Sequence, residues 1–218
     1  GFSLWSDNLV AYRDSPVVNG VLGSLIVVGG IGWRVTQDLW RWRPGRTGEP
    51  AARWRNLSLH SRLVLRSTLL LIVLGTAGLL FTEQFAPDGV VQSLSLLHRL
   101  QVTLFQSITA RTAGFNSVPL SISTLSDAGL LLLIVLMFIG ASPGGTGGGI
   151  KTTSFALLMG ATRSTLENRG DVIIQRRSVP AELVLRAVGV TLASALVVLT
   201  MTLLLGLGPT AGGAPAAG

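Results

Sequence analysis

The chain has 218 residues, of which 48% are hydrophobic and 12% are charged, and its mean hydropathy is +0.58. Soluble domains carry about 25% charged residues, so this composition excludes an ordinary soluble domain and predicts a helical membrane bundle. The sequence has no cysteine, which excludes disulfides, thiol nucleophiles and cysteine-based metal sites. The net charge of +7 would suit a nucleic-acid-binding protein. The arginines lie in short loops between apolar runs, however, and that pattern is typical of membrane topology.

The chain starts at Gly1 without the basic, apolar and cleavage-site succession of a signal peptide, so we expect an internal segment of a longer protein. Residues 17–33 are a first uncharged apolar run, and Pro16 suits the first position of its helix. With its flanks this run can cross a bilayer core of about 30 Å. A basic, tryptophan-containing loop follows and is predicted to be cytoplasmic. Its arginines are Arg34, Arg41, Arg43, Arg46, Arg53, Arg55, Arg62 and Arg66.

Residues 67–82 are a second apolar run, which should cross outward from this loop. Residues 94–110 mix apolar residues with His98, Arg99 and Gln106, and this is too polar for a helix that faces lipid. A second basic loop at residues 163–186 should also be cytoplasmic, so an even number of crossings must separate the two loops. Residues 94–110 are therefore predicted to form a half-helix that enters the membrane and returns through residues 112–119.

Ser126 and Asp127 suit the cap of a third apolar run, which leads from Ala128 into a glycine-rich break. Helical character resumes over residues 150–166, and residues 183–207 form the last apolar run, directed outward. The end of the chain, residues 208–218, contains uncharged Gly, Ala and Pro and is predicted to be unstructured.

The Thr-Ala-Gly segment, residues 109–116, reads Thr-Ala-Arg-Thr-Ala-Gly-Phe-Asn and follows the polar half-helix. Irregular backbone survives at membrane depth only where protein or a watery cavity surrounds it. An extended strand there could aim successive carbonyl oxygens at a cation in place of its water shell. Gly114 helps, because glycine tolerates the dihedral angles that turn a carbonyl inward. An ordinary turn would have the same sequence.

The glycine loop, residues 140–149, has six Gly and one Pro in ten positions. In a helix, Gly costs about 1 kcal/mol relative to Ala and Pro about 3 kcal/mol, so this segment must break the helix. A phosphate-binding loop is excluded by spacing, because Ile150 separates the last Gly from Lys151 and Thr152. A passive linker is disfavoured, because no charged residue occurs between Ala128 and Ile150.

These segments resemble the pore-loop signature and the intramembrane loop of the Ktr/Trk/HKT superfamily of potassium transporters. The resemblance covers essentially the whole chain and is strongest over residues 106–116 and 137–153. It implies an all-α membrane protein of repeated outer helix–pore loop–inner helix units of the potassium-channel type, with four units around one pore. It divides the chain into six parts. Residues 1–39 hold the end of the second filter with its inner helix, residues 40–66 a cytoplasmic loop, and residues 67–166 a complete third repeat. Residues 167–182 form a second cytoplasmic loop, residues 183–207 the first helix of the fourth repeat, and residues 208–218 a flexible tail.

The resemblance also implies a selectivity filter in the Thr-Ala-Gly segment. Its carbonyls would belong to Thr112, Ala113, Gly114 and Phe115, with K⁺ bound at Thr112, Ala113 and Gly114. Gly1 would be the remnant of the preceding filter. Arg111 would support the filter by hydrogen-bonding loop carbonyls behind it, and Asn116 would be a second supporting residue.

The glycine loop, by the same resemblance, would be a gate beneath the filter. The implied gate residues are Gly144, Gly145, Thr146, Gly147, Gly148, Gly149 and Lys151. Thr146 is a candidate hydroxyl ligand or latch. Lys151 either latches the loop electrostatically or anchors the helix below it, and the sequence leaves both alternatives open.

The expected function is potassium uptake across the cell membrane by a multi-pass protein, with possible Na⁺ coupling and no cofactor. No catalytic triad, carboxylate pair or metal-ligand spacing is present in the sequence, so no enzyme is predicted. The resemblance implies a second copy of the subunit and a cytosolic ring of nucleotide-binding regulatory subunits as partners, besides lipid, and no nucleic acid. One filter strand cannot close a pore, so the chain alone should not conduct. The alternative is a non-conducting membrane scaffold whose glycine loop serves helix packing.

Overall fold

The computed structural model describes residues 3–41, 57–85, 89–120, 124–168, 172–174 and 177–207. Within these ranges the chain forms a single 3-10 turn at Val10–Tyr12 and seven α-helices. The helices are α1 (Pro16–Ile31), α2 (Trp33–Arg41), α3 (Leu59–Glu83), α4 (Leu96–Thr109), α5 (Asp127–Phe138), α6 (Thr152–Leu166) and α7 (Ala181–Leu207). An antiparallel hairpin of β1 (Val172–Ile174) and β2 (Arg177–Val179) joins α6 to α7. The predicted all-α class is confirmed, with this hairpin as an addition that the sequence did not indicate.

Among the helices of the described ranges, α3 and α7 are each long and apolar enough to cross a membrane. The pair α1 and α2 passes the same test together, but a bend of 100° separates its two members. Helix α1 starts where the sequence predicts, because Pro16 occupies the first turn and Ser15 caps it by accepting a hydrogen bond from the Val18 amide. It ends at Ile31, because the next residue, Gly32, has a φ of 85°, which lies outside the helical region.

Helix α3 begins at Leu59, eight residues before the predicted start at residue 67. Ser58 caps it by accepting a hydrogen bond from the Ser61 amide at 3.1 Å. The Asp38 carboxylate on α2 accepts from the hydroxyls of Ser58 at 2.6 Å and Ser61 at 2.5 Å. The predicted start was wrong because Arg62 and Arg66 look like loop charges, whereas they occupy the first turns of a helix whose apolar core comes later. Helix α7 likewise begins two residues before the predicted position.

The predicted half-helix is α4, whose 14 residues are too few to cross a bilayer at 1.5 Å per residue. Helix α5 begins as predicted, since Ser126 caps it by accepting from the Gly129 amide at 3.0 Å. It stops at Phe138, and α6 resumes at Thr152, so the predicted break in the third apolar run is confirmed. The tail at residues 208–218 lies outside the described residues.

Helix α3 is the central element, because it packs against α4, α5 and α6. The largest apolar cluster lies among α3, α4, α5 and the connections between them. It comprises Leu79, Val91, Val102, Ala110, Val118, Leu125, Leu133 and Leu136. The Ser107 hydroxyl on α4 donates to the Ile72 carbonyl on α3 at 3.0 Å. A methyl group on Gly75 would overlap Ser107 Oγ and would lie 2.8 Å from Leu136 Cδ1. Gly75 is therefore a point at which three helices meet closely.

We expect Gly75→Ala to destabilise the chain, because the added methyl group must displace Ser107 or Leu136. Overpacking of this kind costs about 1–3 kcal/mol, which corresponds to a fall in Tm of roughly 2–10 °C for a chain of this size. The measurement is thermal unfolding of the purified chain in detergent. Gly189→Ala on α7 is the matched control, since nothing lies within 4 Å of the added methyl group. It should be neutral or raise stability by about 0.5–1 kcal/mol. Equal Tm values for the two variants would contradict the packing at Gly75.

Candidate functional site

The Thr-Ala-Gly segment is held by one hydroxyl at the end of α4. The Thr109 side chain accepts a hydrogen bond from the Phe115 amide at 3.0 Å and donates to the Phe115 carbonyl at 2.7 Å. Thr109 is buried, so both bonds are shielded from solvent. They close residues 109–115 into a loop that reverses the chain immediately after the half-helix.

Two residues of this loop have left-handed backbone. Gly114 has a φ of 79°, as the interpretation of that glycine requires. Thr112 has a φ of 68°, which is uncommon for a β-branched side chain and costs energy. Its hydroxyl donates to the Arg111 carbonyl at 2.7 Å. The sequence offered no signal for the strained backbone at Thr112.

The four carbonyls predicted for the filter are not equivalent. The Phe115 carbonyl accepts from Thr109, and the Gly114 carbonyl accepts from the Asn8 side-chain amide at 3.3 Å. Among the residues that the structure describes, no donor engages the carbonyls of Thr112 and Ala113. These two oxygens are therefore the ones left available to a ligand.

Asn8 is a site residue that the sequence analysis missed. It lies before α1, its φ is 61°, and its side chain reaches the Gly114 carbonyl. The adjacent Leu9 amide donates to the Asn116 carbonyl at 3.0 Å. Asn116 is thus tied to the start of the chain through its backbone. An Asn in a polar segment ahead of a helix gives no pattern from which this contact could be found. Gly1, the predicted remnant of another filter, lies outside the described residues.

Arg111 does not make all the hydrogen bonds that were expected of it. The residue is buried, with 9% exposure, and its Nε has no hydrogen-bond partner among the described residues. It lines a cavity of about 320 Å³ together with Thr112, Ala113 and Phe115. The role of Arg111 as a support that hydrogen-bonds loop carbonyls stays a prediction, and no hydrogen bond from its Nε to a described residue supports it.

The glycine loop closes on itself at its neck, between α5 and α6. The Gly140 amide donates to the Ile150 carbonyl at 3.0 Å, and the Ile150 amide donates to the Phe138 carbonyl at 3.0 Å. Below this neck the buried hydroxyls of Ser142 and Thr152 are hydrogen-bonded at 2.8 Å. The break in the inner helix is therefore a folded loop with its own hydrogen bonds.

The glycine loop also bonds to the end of α1. The Ser142 amide donates to the Gly30 carbonyl at 3.0 Å, and the Thr146 amide donates to the Gly29 carbonyl at 3.4 Å. In return, the Trp33 amide at the start of α2 donates to the Gly144 carbonyl at 3.3 Å. The last carbonyls of any α-helix lack partners within the helix. The loop supplies those partners for α1, and glycine at position 145 permits the approach, because a methyl group there would lie 2.7 Å from the Gly30 carbonyl oxygen.

The glycine loop meets the Thr-Ala-Gly segment at Gly147. A methyl group on Gly147 would overlap Thr112 Oγ1 and Ala141 Cβ. The Lys151 ammonium donates to the Gly147 carbonyl at 2.8 Å. Thr146, Gly147 and Thr112 line the same 320 Å³ cavity. The two segments singled out in the sequence, residues 109–116 and 140–149, therefore border one space.

Comparison with known proteins agrees with this geometry. The profile of the TrkH family, described as a cation transport protein, matches residues 1–208. The Ktr system potassium uptake protein B of Bacillus subtilis is 34% identical over 198 residues, which cover 91% of this chain and 42% of that protein. The protein of the same name from Vibrio alginolyticus is 36% identical over 206 residues, covering 94% and 43%. The chain spans about two fifths of the length of these relatives.

A solved structure shares the fold. The crystal structure of the potassium transporter TrkH from Vibrio parahaemolyticus superimposes with a TM-score of 0.68 at 22% identity, covering 96% of this chain and 43% of that one. The relatives are transporters rather than enzymes, and the apolar helices fit a multi-pass protein of the cell membrane. Because the family profile extends over nearly the whole chain, this protein belongs to the TrkH family of cation transport proteins.

Proposed function

We propose that the chain forms part of the translocating subunit of a potassium uptake system and contributes one filter strand and one gate. The observation that carries this proposal is the single cavity bordered by Thr112 and Ala113 on one side and by Thr146 and Gly147 on the other. The identity of the ion, K⁺, is inferred from the relatives that are named as potassium uptake proteins. A cation that passes the Thr-Ala-Gly segment would enter this cavity and meet the glycine loop next.

In this proposal the filter consists of the carbonyls of Thr112, Ala113, Gly114 and Phe115, with K⁺ at the first three. Carbonyl oxygens replace the water shell of the ion. The free carbonyls of Thr112 and Ala113 support direct contact there. The Gly114 and Phe115 carbonyls each keep a lone pair after accepting from Asn8 and Thr109. Gly1 would belong to the filter of the preceding repeat, and Arg111 and Asn116 would hold the strand in place.

The proposed gate is the glycine loop from Gly144 to Gly149 with Lys151. The Lys151–Gly147 hydrogen bond favours the latch over the anchor as the role of this lysine. Opening would require this bond to break, together with the bonds from Ser142 and Thr146 to α1. Thr146 can act as a latch through its backbone while its side chain borders the cavity.

The division into repeats belongs to the same proposal. Residues 1–39 would end the second repeat, residues 40–66 would be a cytoplasmic loop, and residues 67–166 would form the third repeat. A second loop at 167–182, the next outer helix at 183–207 and the tail at 208–218 would follow. A closed filter then needs strands from outside this chain, so the chain alone should not conduct. We further propose that it acts as a dimer and meets a cytosolic nucleotide-binding ring through its basic loops. Na⁺ coupling would be decided by the remaining filters.

The filter is tested in a chimera in which this chain replaces the matched region of the Bacillus subtilis relative. Gly114→Ser should lower the preference for K⁺ over Na⁺ by about tenfold, because a side chain at a φ of 79° costs roughly 1–2 kcal/mol and moves the neighbouring carbonyls. The measurement is competitive K⁺ and Na⁺ uptake. Gly20→Ser is the control, since it adds its side chain to open space on α1. Unchanged selectivity with poorer assembly would instead support the scaffold alternative.

The latch is tested in the same chimera by Lys151→Met. Basal K⁺ uptake should rise severalfold, because a hydrogen bond from a charged donor contributes about 1.5–3 kcal/mol to the closed arrangement. The control is Arg13→Met, which removes an ion pair with the neighbouring Asp14 away from the glycine loop and the basic loops and should leave uptake unchanged. A Lys151→Met protein with a lower Tm and unaltered basal uptake would show that the lysine anchors α6 and does not latch the loop.

A further inference from the structure

Glu83, a buried carboxylate at the C-terminal end of α3, has hydrogen-bond donors for only one of its two oxygens among the described residues. Glu83 has 3% exposure, and its Oε1 accepts from the Ser126 amide at 3.1 Å and the Ser126 hydroxyl at 2.7 Å. Its Oε2 has no hydrogen-bond partner among the described residues. A buried carboxylate oxygen without a donor is costly, so a donor for Oε2 is required.

A buried side-chain amide on α4 lacks a hydrogen-bond acceptor, whereas the Glu83 oxygen lacks a donor. Gln106 has 3% exposure, and its Nε2 has no acceptor among the described residues. Glu83 and Gln106 line one small cavity of about 10 Å³, and Thr103 lines it as well. The Thr103 hydroxyl donates to the Arg99 carbonyl at 2.8 Å, so its oxygen can still accept. The rest of the lining is apolar: Leu79, Val91, Val102, Val118, Leu125 and Leu133.

We propose that this cavity is a binding site for one water molecule, which donates to Glu83 Oε2 and Thr103 Oγ1 and accepts from Gln106 Nε2. Water is the one small molecule that supplies both a donor and an acceptor at this size. The volume is about that of a single water-sized probe, and three hydrogen bonds are typical of a buried water. A metal cation would need several oxygen ligands, whereas this cavity presents one carboxylate oxygen, one hydroxyl and an amide donor.

The water would join three elements. Glu83 ends α3 and caps the start of α5 through Ser126, and Gln106 lies one turn before Thr109 on α4. Thr109 in turn holds Phe115. Glu83 and Gln106 are then positioning residues for the half-helix and for the start of the broken helix. Only this link to selectivity rests on the proposed function; the water site itself does not.

The first test exchanges the two side chains in the purified chain and measures Tm in detergent. Gln106→Glu places two carboxylates on one cavity, and the Tm should fall by roughly 10 °C. Adding Glu83→Gln restores one acceptor and one donor across the water, so the double variant should regain at least half of the loss. Gln84→Glu, at an exposed neighbouring position, is the control and should leave the Tm unchanged. Additive losses in the double variant would overturn the bridge.

The second test identifies the ligand. A crystal structure of the chain that resolves ordered waters should show one oxygen within hydrogen-bond distance of Glu83 Oε2 and Gln106 Nε2. A direct bond between these two side chains would overturn the proposal. So would a Tm that rises with Na⁺ concentration at constant ionic strength in the unmodified chain and not in Glu83→Gln, since that would indicate a cation bound at Glu83.

The third test concerns selectivity in the chimera, where Gln106→Leu should lower the preference for K⁺ over Na⁺ and Gln84→Leu should not. If Gln106→Leu leaves the preference unchanged while the exchange rescues the Tm of the isolated chain, the link to the filter is wrong and the water site stands. If the unmodified chimera transports no K⁺, the proposed function fails, and the Tm and crystallographic results still decide the water site.

Discussion

The structure depends on one constraint, which is that backbone amides and carbonyls at membrane depth must find partners within the protein. The glycine loop leaves the helical pattern in the middle of an apolar run, so its amides lose their helical acceptors. Two of them, from Ser142 and Thr146, bond to the carbonyls of Gly30 and Gly29 at the end of α1. Those carbonyls themselves lack helical partners, because α1 ends at Ile31. The amides of the glycine loop and the carbonyls at the end of α1 therefore supply each other's missing hydrogen-bond partners.

This exchange explains why glycine is concentrated at two distant places in the chain. The end of α1 and the loop between α5 and α6 approach backbone to backbone, and a methyl group on Gly32 or Gly145 would clash with the backbone opposite. It also sets the position of α2, since the Trp33 amide bonds to the Gly144 carbonyl immediately after the bend. The loop is held by backbone hydrogen bonds at its neck and to α1, and buried Ile139 and Ile150 flank it. In the proposed gate the bonds to α1 would have to break while α3, α4 and α5 remain packed around Leu79 and Val102.

Much of this architecture could be predicted from the sequence, because apolar periodicity and helix breakers act locally. Pro16 and Ser126 mark two helix starts, and the Gly-Pro content of residues 140–149 marks the break. The start of α3 was misplaced because Arg62 and Arg66 look like loop charges although they occupy the first turns of the helix. In the Thr-Ala-Gly segment, Gly114 could be predicted as a site residue, because a carbonyl turned inward requires dihedral angles that glycine tolerates. Asn8 could not be found, because its contact with Gly114 spans 106 residues and follows no local pattern. The strained φ of Thr112 is likewise imposed by the fold around it.

In the proposed gate, the hydrogen bonds between the glycine loop and the end of α1 define the closed state. The sequence has no cysteine, so a single introduced pair can test this claim in a chimera whose host part is also free of cysteine. The ideal Cβ position of Gly29 lies 3.7 Å from Thr146 Oγ1, which suits a disulfide between Gly29→Cys and Thr146→Cys. Oxidation should abolish K⁺ uptake, and reduction should restore it, because the cross-link holds the loop against α1. Complete cross-linking with unchanged uptake would contradict the account.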